Sequence, residues 1–162
     1  MKSIMSFVVV FLALTLQINA QKQIPNISVK TLDGSSLNMD EITKEKGVKI
    51  ISFWATWCVP CINELDAISE VYDDWKDETN VELIAIATDD ARTKKRIKPL
   101  INGKGWEYKI LLDENQDLQR SLNITTIPHV IVIKDGKIVF RHTGYFPGAE
   151  DQLYDVVKEN SK

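Results

Sequence analysis

The stretch FWATWCVPCINE, which runs from Phe53 to Glu64, holds both cysteines of this 162-residue chain, Cys58 and Cys61. The apolar run VKIISFWA at 48–55 leads into it and predicts a β-strand that is buried on both faces. After the cysteines, apolar residues recur at helical spacing, which predicts a helix. They are Ile62, Leu65, Ile68, Val71, Tyr72 and Trp75. The two cysteines are therefore expected where a strand ends and a helix begins.

Strands and helices continue to alternate after this helix. The runs VELIAIAT (81–88) and YKILLD (108–113) predict two further strands, with a helix from about 91 to 102 between them. Asp113, followed three residues later by Gln116, is typical of a helix start, because the carboxylate can accept bonds from the free N–H groups of a first turn. This order of elements indicates a largely parallel sheet.

Both ends of the pattern contain a hairpin signal. HVIVI (129–133) and IVFRH (138–142) flank a Lys-Asp-Gly-Lys turn, and ISVKTLDGSSLNM (27–39) has two alternating runs around Asp33-Gly34. A final helix takes its apolar side from Leu153, Val156 and Val157. We therefore predict a three-layer α/β sandwich.

The first twenty residues differ from the rest of the chain. Lys2 is followed by the uncharged run Ile4–Leu16 and then by the small residue Ala20, the order of a cleaved secretory signal. The run is short for the ~20 residues of a membrane-spanning helix, and a retained N-terminal anchor is the alternative. We predict a signal peptide over 1–20, one domain over 21–162, and a periplasmic or secreted protein.

The charge of the chain gives little indication of a partner. Charged residues make up 27% of it and the formal net charge is −3, which does not support general nucleic-acid binding. The basic run RTKKRIK at 92–98 is interpreted as the solvated face of a helix, with a partner-binding patch as the alternative.

The cysteine pair could be a structural disulfide, half of a metal site, or a redox centre. A disulfide that closes so short a loop removes little entropy from the unfolded chain. A tetrahedral zinc site takes four ligands, and the only other soft donors are His129 and His142. At a helix N-terminus, however, free N–H groups and the helix dipole favour the thiolate of Cys58. We therefore interpret Cys58 as a nucleophile toward a partner's disulfide and Cys61 as the residue that resolves the mixed disulfide.

The residues around the cysteines have more than one interpretation. Pro60 suits a first helical turn, because its missing N–H costs little there, and Val59 and Pro60 are expected to tune the reduction potential. Glu64 either complements the helix dipole or accepts the proton of Cys61 with a pKa raised by burial. Trp57 is either a core residue or an exposed aromatic of a docking surface.

Together these residues resemble the thioredoxin-like proteins, and among them the exported ResA/TlpA-type thiol-disulfide oxidoreductases. The resemblance covers roughly 24–160 and rests on FWATWCVPC, on Glu64, on LLDENQDLQRSLNITTIPHVIVIKDGKIV (111–139) and on the N-terminal hairpin. It implies a thioredoxin-like three-layer sandwich whose central mixed sheet carries an N-terminal β-hairpin extension. It also implies a redox-active disulfide between Cys58 and Cys61.

The resemblance extends to the residues expected to bind a substrate. It implies that Pro128 follows a cis peptide bond, lies against the cysteines, and binds the substrate together with Thr126 and Ile127. The backbone around Ile127 would pair with an extended partner peptide like an added strand. Ser52 stands where thioredoxin has a buried Asp, so the family position of Glu64 suggests that it is the substitute acid.

We therefore expect an extracytoplasmic enzyme that exchanges disulfides with cysteine pairs of exported proteins and needs no cofactor beyond its thiols. The resemblance favours the reducing direction, as in cytochrome c maturation, with a membrane thiol-relay protein as electron donor. The alternative is a copper chaperone of the same fold that binds Cu(I) through Cys58, Cys61 and His129. His129 is otherwise interpreted as an ordinary polar residue at a strand start or as one that tunes Cys58.

Overall fold

The computed structural model describes residues 23–162, so the predicted signal peptide lies outside the described residues. The strands are β1 Ser28–Thr31, β2 Ser36–Asn38, β3 Val48–Trp54, β4 Glu82–Ala87, β5 Lys109–Leu112, β6 His129–Lys134 and β7 Lys137–Thr143. The helices are α1 Met39–Lys44, α2 Val59–Thr79, α3 Ile97–Lys104, α4 Asp117–Ser121 and α5 Ala149–Asn160, with a 3-10 turn at Lys94–Arg96.

The described strands form one mixed sheet in the order β2-β1-β5-β4-β3-β6-β7. The central strands β3, β4 and β5 are parallel, and β6 and β7 continue the sheet antiparallel to β3. At the other edge, β1 pairs antiparallel with β5 and with β2, so the N-terminal hairpin extends the sheet. The predicted mixed sheet and its hairpin extension are confirmed.

Strand β3 forms the middle of the molecule, and all seven of its residues are buried. Its side chains alternate between two cores, as the pleat of a strand requires. Ile50 and Trp54 belong to the core that includes residues of α2, α3 and α5. Ile51 and Phe53 belong to the core that includes residues of α1 and α4. Helices therefore cover both faces of the sheet, which confirms the three-layer sandwich.

The helix predicted from about 91 begins later than expected. The segment before it is a turn in which the Asp90 carboxylate accepts bonds from the backbone N–H and the guanidinium of Arg92. Pro99 explains the shift, because a proline ring clashes with the carbonyl four residues earlier and is tolerated only in a first turn. The α-helix accordingly starts at Ile97, two residues before Pro99.

The predicted helix start near Asp113 is confirmed, although α4 itself begins at Asp117. The Asp113 carboxylate is buried and accepts the N–H groups of Leu118 at 3.2 Å and Gln119 at 2.9 Å. The short helix α1, in contrast, has no counterpart among the predicted elements. Within residues 23–162, no helix has the length and apolarity needed to cross a membrane.

Candidate redox site

The two cysteines lie at the junction of β3 and α2, as the sequence predicts. Cys58 is the N-cap of α2, and its backbone N–H donates to the carbonyl of Ala55 at 3.0 Å. A disulfide joins Cys58 to Cys61 across a Cα–Cα distance of 5.3 Å. Pro60 occupies the first turn of the helix. The end of β3 and the start of α2 therefore hold both sulfur atoms in defined positions.

The surroundings of Cys58 favour negative charge on its sulfur. The N–H of Cys61 donates to the Cys58 sulfur at 3.3 Å, and the first turn of α2 carries no acidic side chain. In the reduced protein the same N–H and the helix dipole would stabilise a thiolate at Cys58. Cys58 is 6% exposed, whereas Cys61 is fully buried. The sulfur that a partner can reach is therefore that of Cys58.

Glu64 lies one helical turn after Cys61 on the buried side of α2, and only 4% of its surface is exposed. The hydroxyl of Ser52 on β3 donates to its Oε2 at 3.0 Å. Burial raises the pKa of Glu64 to about 7; the Ser52 bond opposes this shift, and the charge of Glu150 adds to it. A carboxyl group with this pKa can give or take a proton near neutral pH.

The surface around the disulfide carries exposed apolar side chains. Trp57 is 57% exposed and Val59 is 66% exposed, and Pro60 beside them is also exposed. The interpretation of Trp57 as a core residue is therefore wrong. Unburied apolar side chains that cluster beside a reachable sulfur are typical of a contact surface.

The segment from Thr126 to Pro128 precedes β6 and lies at the same end of the sheet as the cysteines, where β3 ends. The peptide bond between Ile127 and Pro128 is cis, and β6 begins directly after it. In the register of β6 against β3, His129 lies opposite Phe53, which precedes the cysteine turn. Ile127 also packs against the core that contains both cysteines.

His129 lies on the other side of the sheet from α2. It stands opposite Phe53, whose side chain belongs to the core with α1 and α4, whereas both cysteines belong to the core with α2. Its Nδ1 is 2.8 Å from the hydroxyl of Thr143. Burial lowers the pKa of His129 to about 4, with smaller effects from the charges of Arg141 and His142. Across residues 23–162, no group of three or more His, Cys, Asp or Glu could hold a metal ion.

Asp89 is a residue of the site that sequence reasoning missed. It follows β4, is buried, and accepts the backbone N–H of Thr56 at 2.9 Å and the Thr56 hydroxyl at 2.5 Å. Thr56 directly precedes Trp57 and Cys58, so these bonds hold the turn that presents the nucleophile. The position of Asp89 just after a predicted strand could have indicated its role, because sites of open α/β sheets lie at the carboxyl ends of the strands.

Replacing Glu64 by Gln should remove part of the pH dependence of stability. The pKa of about 7 in the folded protein exceeds the ordinary value of 4.5, so the folded protein binds the proton more tightly and its free energy of unfolding falls as pH rises between these values. The loss amounts to about 3 kcal/mol. Urea unfolding of the oxidised protein at about pH 5 and about pH 8 measures it.

In this comparison Glu64→Gln should lose less stability between the two pH values than wild type does. Glu70→Gln is the matched control, because Glu70 is an exposed residue of the same helix. An equal loss in wild type and Glu64→Gln would contradict a raised pKa at Glu64.

Replacing Asp89 by Ala should destabilise the protein by about 1–3 kcal/mol, because the half-buried N–H and hydroxyl of Thr56 both lose their acceptor. Urea unfolding of the oxidised protein gives this value, and Asp90→Ala is the control. The Asp90 carboxylate is bound mainly to the exposed Arg92, so its loss should cost less. Equal costs for the two substitutions would mean that the Thr56 turn does not depend on Asp89.

Comparison with known proteins agrees with this geometry. The model of the AhpC/TSA family matches residues 20–141. The thiol-disulfide oxidoreductase ResA of Bacillus thuringiensis is 34% identical over 119 residues, which are 73% of this chain and 66% of that protein. The match thus spans slightly less than two thirds of the length of this relative. The resemblance to ResA that the sequence predicts is confirmed.

Solved structures show the same fold. A thioredoxin-like protein from Porphyromonas gingivalis is 44% identical, with a TM-score of 0.76 over 88% of this chain and 94% of that chain. The thioredoxin domain of a thiol-disulfide oxidoreductase from Bacteroides vulgatus has a TM-score of 0.71 over 90% of this chain and all of its own, at 23% identity. With the family match and the disulfide at the start of α2, these findings show that the chain belongs to the AhpC/TSA family and has the thioredoxin-like fold.

Proposed function

We propose that this protein is a thiol-disulfide oxidoreductase that acts outside the cytoplasm and reduces cysteine pairs of exported proteins. The observation that carries the proposal is the disulfide at the N-terminus of α2, in which the reachable Cys58 lies above the fully buried Cys61. The ResA relatives, which are named for thiol-disulfide exchange, support the same reaction.

The reaction begins with the reduced pair. The Cys58 thiolate attacks one sulfur of the partner's disulfide, so a Cys58–partner bond forms, the partner's S–S bond breaks, and the leaving sulfur takes the electron pair. Cys61 then loses its proton to Glu64 and attacks the Cys58 sulfur. The Cys58–Cys61 bond forms and the second partner sulfur leaves as a thiolate. Two electrons have passed from the protein to its partner, which gains two protons.

Three groups of this chain act on the proton and charge balance of the reaction. The N–H of Cys61 and the dipole of α2 stabilise the thiolate of Cys58. Glu64 takes the proton of Cys61, because its pKa of about 7 keeps a useful fraction ionised at neutral pH while binding the proton far better than an exposed carboxylate would. Ser52 orients the Glu64 carboxyl from β3.

The partner docks on the apolar surface around Cys58. Trp57 and Val59 supply exposed apolar contacts, and the segment from Thr126 through Ile127 to Pro128 offers its backbone to an extended peptide. Val59 and Pro60, the two residues between the cysteines, set the balance between dithiol and disulfide.

The direction of the reaction and its location rest on the N-terminal sequence and on the ResA resemblance. Residues 1–20 act as an export signal that leaves the domain 21–162 in the periplasm or secreted. Clients are exported proteins with cysteine pairs, cytochrome c maturation being one setting that requires reduced pairs. Because such compartments are oxidising, a membrane thiol-relay protein returns electrons to the Cys58–Cys61 disulfide.

Substitution of each cysteine tests the two roles separately. Cys58→Ser should lower the catalysed reduction of insulin disulfides by dithiothreitol to the rate without protein, because the nucleophile is lost. Cys61→Ser should keep the nucleophile and accumulate a mixed disulfide with the partner, which mass spectrometry of the unreduced protein detects. An insulin-reduction rate that Cys58→Ser leaves unchanged would rule out the proposed reaction.

The reduction potential tests the direction. Equilibration of the purified domain with glutathione buffers and then with dithiothreitol buffers should give a value near or below the about −270 mV of thioredoxin. Alkylation of free thiols followed by mass spectrometry gives the reduced fraction at each point. A value near the about −120 mV of a strong periplasmic oxidant would reverse the direction and leave Cys58 and Cys61 in their roles.

A further inference from the structure

A small cavity lies beside Glu64, between α2, the hairpin of β6 and β7, and the start of α5. Its polar lining comes from Glu64, His142, Glu150 and Gln152, and Val130 and Leu153 are among its apolar residues. The volume in which the centre of a water molecule can lie is about 20 Å³. The surface of the cavity is mainly apolar, and its volume has room for one water molecule.

His142 lines this cavity and carries an unpartnered ring nitrogen. His142 lies opposite Val130 in the register of β7 against β6, on the face of the sheet that α2 covers. Its Nε2 is buried and has no hydrogen-bond partner within the described part of the chain. The ring of Phe140 is stacked on the His142 ring at a centroid distance of 6.4 Å, and the ring of Phe146 meets it edge-on at 6.2 Å. Buried ring nitrogens are normally paired with protein or with water, so this nitrogen favours a water molecule in the cavity.

Glu150 lines the same cavity from the first turn of α5 and is only partly buried. One of its carboxylate oxygens accepts the N–H of Gly148 at 3.1 Å, which fixes the side chain at the helix start. Its charge also acts on Glu64, whose pKa it raises. Glu64 and Glu150 therefore line the same cavity and are electrostatically coupled, and Glu150 is the more exposed of the two.

The other sides of Glu64 are closed. Along α2 its neighbours Cys61, Leu65 and Ile68 are fully buried, and the Ser52 hydroxyl occupies its Oε2 from β3. Besides Glu150, two tyrosines are electrostatically coupled to Glu64. The carboxylate of Glu64 contributes to the raised pKa values of Tyr108, before β5, and Tyr145, between β7 and α5.

We propose that a water molecule in this cavity carries the proton of Glu64 to solvent, and that His142 and Glu150 are positioning residues for this transfer. The inference rests on the proposed function, in which Glu64 takes the proton of Cys61. In the resolving step the Cys61 thiolate attacks Cys58, the Cys58–Cys61 bond forms, and the partner leaves with the electron pair. In the same step, as Cys61 gives its proton to Glu64, Glu64 passes a proton to the cavity water, which releases one to solvent beside Glu150. Glu64 is thereby ready for the next cycle.

The aromatic disulfide 5,5′-dithiobis(2-nitrobenzoate) separates the two steps in the reduced protein. Attack by Cys58 releases one thionitrobenzoate, and attack by Cys61 on the resulting mixed disulfide releases the second. Stopped-flow absorbance follows both phases. His142→Phe keeps an aromatic ring but removes its nitrogens, and should slow the second phase about tenfold at neutral pH. The first phase should stay within about twofold, which also shows that the variant is folded.

Two further variants distinguish proton transfer from packing. His142→Gln restores a polar group to the cavity and should recover most of the second-phase rate. Glu150→Gln removes a negative charge near Glu64 and should move the pH profile of the second phase toward lower pH, because Glu64 then loses its proton more readily. Phe140→Leu changes an apolar wall of the same cavity and should leave the rate of the second phase and its pH profile unchanged.

The outcomes separate this inference from the proposed function. A second phase that is unchanged in His142→Phe and in Glu150→Gln, but slowed in Glu64→Gln, would overturn the cavity route and leave Glu64 as the proton acceptor. A second phase that Glu64→Gln does not slow would overturn both the route and the role of Glu64. If Cys58→Ser still releases the first thionitrobenzoate at the wild-type rate, the proposed function itself fails.

Discussion

The burial of the Glu64 carboxyl between α2 and β3 is the constraint on which the rest of the site depends. Strand β3 is buried along its whole length, so the helix that follows must lay one side of its first turns on the sheet. Cys61, Leu65 and Ile68 define that side, and Glu64 falls between them. A carboxyl in this position must be hydrogen-bonded or neutral, and Ser52 provides the bond.

The burial of Glu64 suits its carboxyl to proton transfer but lowers the stability of the folded protein. An exposed glutamate is ionised at neutral pH and binds a proton too weakly to serve a thiol well, whereas the raised pKa of Glu64 brings its affinity closer to that of a thiol. The same shift destabilises the folded protein once the carboxyl ionises. A compact core must then compensate, and the two cores on either side of β3 supply the apolar burial that does so.

The sequence predicts what depends on local pattern and misses what depends on distant contacts. Strand β3 and the hairpins follow from periodicity and turn residues. The helical offset of Glu64 leaves two roles open, and the resemblance to thioredoxin-like proteins implies the Cys58–Cys61 disulfide and suggests that Glu64 serves it. Asp89 lies 33 residues from Thr56, whose N–H it binds, and no local pattern connects them. The late start of α3 follows from the steric effect of Pro99, which apolar periodicity alone does not include.

The two histidines illustrate how register, rather than residue type, decides the role of a side chain. His129 lies opposite Thr143 and His142 lies opposite Val130, so consecutive pairs of one hairpin put the two rings on opposite faces of the sheet. His129 is bonded to Thr143 and stays neutral at physiological pH because its pKa falls to about 4. His142 reaches the cavity beside Glu64. Because a slip of one residue would exchange these faces, the antiparallel pairing of β6 with β7 determines which histidine can act on the redox site.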